Sequence, residues 1–120
     1  MTSLNTFGAI MTFAIEMETQ IRDYYQSAGE AARAADADKR RLNFERVRRE
    51  NVTEIKLEPI DGLSETDYAL NLSDTSAAGQ KAVEATAARF YTDTAPKINV
   101  REAQRALERA AKQHLQNAEA

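Results

Sequence analysis

Three glutamates and the chain's single histidine are the residues best suited by type and spacing to do chemistry. Glu18 stands in the series Phe7, Met11, Ala14, Glu18, Ile21, Tyr25, Ala28, Ala32, whose alternating steps of four and three mark one face of a helix. Ala77, Gln80, Glu84, Ala87 and Tyr91 form a second such series, again with a glutamate at the centre. Phe44, Val47, Asn51 and Glu54 give a third, and Ala103, Leu107, Ala110, His114 and Asn117 a fourth. Each stripe therefore turns a polar group toward the interior it would bury. A buried carboxylate needs a partner, a proton or a metal to offset its lost hydration. Glu18, Glu54 and Glu84 meeting His114 at one depth would offer hard oxygen ligands and one nitrogen, a set that suits iron or manganese and, less specifically, zinc. Tyr25 and Tyr91 stand where their hydroxyls could hydrogen-bond the glutamates of the opposite helix.

The elements that must carry these residues are helices. Of the 120 residues, 22 are Ala, against four Val and six Ile, with only four Gly and two Pro; this favours helix over sheet. A chain of this length makes one domain, residues 1–120, with one core. With no Cys, disulfide frameworks, thiol catalysis, zinc fingers and iron–sulfur centres are excluded. The spacing predicts a first helix from about Leu4 to Ala34 and a second opening at Asp36 or Asp38 and ending before Pro59. A third runs from Ser73 or Asp74 to Pro96, preceded by a short helical turn after Ser64. A fourth opens on Asn99-Val-Arg-Glu102 as a capping box and frays from Gln116. Short breaks within each pair and a long connection between pairs predict two antiparallel hairpins with a long crossover, an all-α four-helix bundle. The halves echo one another: Glu18…Tyr24-Tyr25 and Glu84…Phe90-Tyr91 share their spacing, and Phe44–Asn51 matches Leu107–His114 in type.

These residues resemble the rubrerythrin branch of the ferritin-like superfamily. Ala14-Ile-Glu-Met-Glu18…Tyr24-Tyr25…Ala28-Gly-Glu30 is similar to that family's opening pattern, and Ala82-Val-Glu84…Phe90-Tyr91…Ala95 to its second copy. The resemblance implies a ferritin-like bundle around a two-metal carboxylate site, with oxygen, peroxide or iron chemistry where the ligands are kept. It puts the ligating glutamates at Glu18 and Glu84. Helices two and four should each bear Glu-x-x-His, yet the slots read Asn51-Val-Thr-Glu54 and His114-Leu-Gln-Asn117. The bridging glutamates are absent, so a standard di-iron site is not expected. Two readings stay open: one iron or manganese on Glu18, Glu54, Glu84 and His114, with Tyr25, Tyr91, Asn51 and Asn117 around it, or a metal-free scaffold or interaction module that has lost catalysis. Without Cys there is no rubredoxin-type iron module, so an electron donor would be a separate protein.

The remaining surfaces suggest little chemistry. Helix two is basic from Lys39 to Arg49, but Glu45 and Glu50 interleave at helical spacing and no aromatic residues do, so a solvated outer face is favoured over nucleic-acid binding. The net charge of −3 agrees. Helix one carries a second apolar row, Ile10, Phe13, Met17 and Tyr24. It would be covered by the crossover or, preferably, by a homodimer through helices one and two. The apolar run Gly8–Ile15 is too short to span a bilayer and lacks a basic leader, so a cytoplasmic protein is expected.

Overall fold

A computed structural model describes residues 4, 6–51 and 62–120. Among these the chain is all-helical: α1 spans Phe7–Ser27, α2 Ala31–Asn51, α3 Ala77–Thr94 and α4 Arg101–Glu119. A 3-10 turn at Glu65–Tyr68 stands where a turn after Ser64 was expected, and a second, Ala95–Lys97, carries Pro96 at the end of α3. No strand is present among the described residues, and no described helix is long and apolar enough to cross a membrane.

The largest departure from the sequence reading lies between α1 and α2. Gly29 does not lie within the expected helix Leu4–Ala34 but ends it, at φ 77°. The amide of Gly29 donates to Gln26 O and that of Glu30 to Tyr25 O, the pair of bonds by which a left-handed glycine satisfies the last carbonyls of a helix. Helix two accordingly starts at Ala31, and Asp36 and Asp38 lie within it rather than at its cap. Asp38 instead accepts from Arg22 and Arg41. The alternation through Ala28 and Ala32 misled because alanine fits either face: neither residue is buried.

The other ends follow local chemistry. Thr6 Oγ1 accepts the Ala9 amide and caps α1, and Ser76 Oγ accepts the Gly79 amide and caps α3, slightly later than Ser73 or Asp74. The expected capping box at α4 does not form. Its cap position is Val100, with no side-chain bond, and Glu102 accepts from Asn51 of α2 instead. Toward its other end α4 continues in helix to Glu119.

The four stripes meet in one core of Phe7, Met11, Ile21, Tyr25, Phe44, Val47, Phe90, Tyr91 and Leu107, all buried. Phe44 and His114 each stack on Tyr91's ring, with centroids 5.4 and 5.6 Å from it. The second row of α1 is covered within the chain. Phe13 packs on Phe90 at 4.9 Å, Tyr68 meets the same ring, and Tyr24 donates to the Asp74 carbonyl. Ile10 and Met17 are buried, so this row does not by itself demand a partner subunit.

Because nothing crowds the Cβ position of Gly29, its replacement isolates the backbone cost. Gly29→Ala should lower stability by about 1–2 kcal/mol in urea denaturation, and Gly29→Asn by less, since Asn tolerates the left-handed region.

Candidate functional site

The turn at Gly29 decides what faces Glu18. Chain reversal centred on Gly29 sets Glu18 opposite Arg40; reversal near Asp36 would have set it opposite Glu54. Glu18 Oε1 accepts from Arg40 Nε at 2.8 Å. Asn51 lies eleven residues farther along α2, about 16 Å at 1.5 Å per residue, and donates to Glu102 and Val47 O rather than to the central glutamates. Glu54 lies outside the described residues. Arg40, read from sequence as part of the outer basic face, points inward and is 8% exposed. Its neighbours Arg41 and Arg46 do form the expected surface pairs, with Asp38, Glu45 and Glu50.

Glu18, Glu84 and His114 come together, each completely buried. The imidazole lies between the two carboxylates. Nε2 is 2.8 Å from Glu18 Oε2, and Nδ1 is 3.0 and 3.2 Å from the two oxygens of Glu84. Tyr91 donates to Glu18 Oε2 at 2.6 Å and Asn117 to Glu84 Oε1 at 2.9 Å. Arg40 Nη1 donates to Gln113 Oε1 at 3.0 Å. No buried side-chain polar atom among the described residues lacks a hydrogen-bond partner. Tyr91 fulfils the expected cross-helix contact. The Tyr25 hydroxyl accepts from Arg33 Nη1 at 3.3 Å, and its pKa is pushed up to about 12 by burial and by the Glu84 charge.

Charge and protonation follow from this arrangement. Burial alone would raise both glutamates. For Glu18 the His114 charge and hydrogen bond, then Arg40 and Tyr91, outweigh it; for Glu84 the His114 hydrogen bond and charge and Asn117 do so, and both carboxyls end below their ordinary range. Burial likewise opposes a charged His114, but Glu18 and Glu84 prevail and raise it. Ionised carboxylates only accept, so an imidazole lying between two of them is favoured as the imidazolium, with both nitrogens donating. Burial and the Glu18 charge keep Tyr91 neutral, its pKa raised well above 10. Two anions, Glu18 and Glu84, are thus matched by two cations, Arg40 and His114.

This donor set does not fit the metal implied by the family resemblance. A metal needs a bare imidazole nitrogen and carboxylate oxygens aimed at one point. Here the imidazole itself separates the carboxylates, both of its nitrogens are engaged, and a guanidinium approaches Glu18 from α2. Among the described residues no three His, Asp or Glu side chains are disposed to hold an ion. Sequence reasoning missed Arg40 and Gln113. A signal for Arg40 was present: extending the α2 stripe backward gives Ala37, Arg40, Phe44, Val47 and Asn51 in steps of three and four. Comparison with known protein families, with curated proteins and with solved structures finds no match.

The pH dependence of stability carries the signature of the network. The glutamates' contribution is complete above about 4.5, their ordinary value, and is lost as pH falls through their lowered folded values. That of His114 is complete below about 6.5 and is lost as pH rises through its raised folded value. Stability in urea should therefore decline as pH rises above about 6.5 in the native chain, and His114→Gln should flatten that decline. Arg40→Met should cost about 3 kcal/mol or more at neutral pH, because Glu18 would lose a buried partner.

Proposed function

We propose that this chain is a ferritin-like, rubrerythrin-like bundle of two antiparallel hairpins joined by a crossover, in which internal cations stand where relatives of that kind hold metal. On this reading it is a metal-free scaffold or interaction module rather than an oxidoreductase. The observation that carries it is the imidazole of His114 clasped by Glu18 and Glu84, with Arg40 completing the neutralisation. A site arranged for metal would leave those carboxylates open to an ion; this one has used them on fixed side-chain cations. The paired order of contacts supports the connectivity. Glu18–Arg40 and Arg22–Asp38 run in opposite directions along α1 and α2, and Glu84–His114 in α3 and α4 with Ala95–Gln104, from the turn that follows α3, do so likewise.

Loss of catalysis is consistent with the Asn51 and His114 positions, where the family resemblance calls for bridging glutamates. The reciprocal relation of the halves persists, with Tyr91 on Glu18 and Tyr25 beside the Glu84 charge, so the duplicated pattern serves packing and polar satisfaction.

Protein purified without an affinity tag from cells supplied with iron and manganese should contain neither metal in stoichiometric amount, and its melting temperature should be unchanged by a chelator. About one iron or manganese per chain, lost in Glu84→Ala, would overturn the proposal in favour of a mononuclear site.

A further inference from the structure

The charge network reaches the surface through Arg40. Arg40 forms part of the lining of a groove between α2 and α4 of about 390 Å³, together with Lys39, Asn43, Arg109 and Gln113. Its Nε is spent on Glu18 and its Nη1 on Gln113, while Nη2 makes no hydrogen bond to the described residues. The side chain is 9% exposed and anchored through Nε and Nη1, so Nη2 is a donor open to the groove on a fixed guanidinium, not a mobile surface group. A neighbouring depression, sharing Asn43 and Arg109, adds Arg46, Arg101 and Arg105. Together the two depressions are lined by six cations and two carboxylates, in a chain whose net charge is −3. Arg40 is matched by Glu18 and Arg46 pairs with Glu50 and Glu102, while Lys39, Arg101, Arg105 and Arg109 form no ion pair among the described residues, so the face keeps an excess of positive charge.

We propose that the α2–α4 groove binds a small phosphorylated anion, its phosphoryl oxygens accepting from Arg40 Nη2, Lys39 and Arg109, with Asn43 and Gln113 supplying amide contacts. Charge-assisted bonds from guanidinium and ammonium groups suit phosphate oxygens, and a cavity of this volume suits a small organic ligand. The carboxylates argue against a polymer. Asp36 lines one depression and Glu102 the other, so a nucleic-acid strand laid along the groove would meet like charge at both. Apolar anchors for a peptide helix are also lacking, since Phe44 beneath the groove is 1% exposed. The proposal rests on the charge network, because Glu18 is what fixes Arg40, and it gives that network a ligand whose arrival His114 would register through Glu18.

Inorganic pyrophosphate, titrated into the full chain at constant ionic strength, is the probe. Saturable one-to-one binding is expected by calorimetry, accompanied by a shift of the single histidine's imidazole resonances. The doubly substituted Lys39→Gln, Arg109→Gln chain, altered only at exposed positions, should bind about tenfold more weakly or worse. The histidine shift is read in the native chain and needs no variant to fold. Absence of saturable binding, equal binding by the variant, or an unmoved histidine would overturn the proposal. So would tighter, strongly salt-dependent binding of a short single-stranded oligonucleotide, which would mark the face as a polymer surface. Failure here with the alkaline loss of stability intact would remove the groove and leave the network standing.

Discussion

Two ionised carboxylates at the centre of a helical core are the constraint to which the surrounding structure answers. Glu18 and Glu84 are fully buried, and a buried charge left alone would shift its pKa and neutralise rather than persist. The compensation comes from the other two helices: α2 delivers Arg40 and α4 delivers His114. Each helix thus contributes one charge, and the charges balance. Register along every helix is tied to this arrangement, since sliding α2 by a turn would withdraw the guanidinium from Glu18. A polar centre of this kind need not add net stability relative to an apolar one, but once present it heavily penalises misregistered packings.

Hydrophobic packing and the network are interlocked. Tyr91 stacks with both Phe44 and His114 while its hydroxyl holds Glu18, so one side chain serves both the apolar and the polar part of the core. The segment after Gly62 closes the outer row of α1 through Tyr68 and Asp74. That contact supplies within one chain the cover for which a homodimer was the preferred source.

Much of this was legible in the sequence. The inward faces of α1, α3 and α4 were marked by Glu18, Glu84 and His114 at 3–4 spacing, and these three do meet. Tyr91 was also placed correctly as a hydrogen-bond partner, and Asn117, expected beside the site, donates to Glu84. The depth of α2 was not legible, because an alanine-rich stretch from Ala28 to Ala37 fits helix on either side of the break and conceals where the chain turns. The stripe through Ala37, Arg40 and Phe44 hints at the register, and the positive φ at Gly29 fixes it. Moving the turn by seven residues, from Gly29 to Asp36, exchanges Arg40 for Glu54 opposite Glu18, and with it a cation for another carboxylate. The chemistry inferred from the site changes accordingly, from a metal centre to an internal ion network. Composition could not reveal this, since Arg40 sits in a run of arginines whose neighbours do face solvent.

The protonation of His114 tests this account most directly, and the chain holds only one histidine, so its signals need no assignment by mutation. Nitrogen-15 NMR of the imidazole at neutral pH should show protons on both ring nitrogens, with coupling of Nε2 to Glu18 and Nδ1 to Glu84 across the hydrogen bonds. A neutral ring with one bare nitrogen at that pH would contradict the central claim. It would mean that the carboxylates are not held by an imidazolium and that a nitrogen ligand is available to a metal.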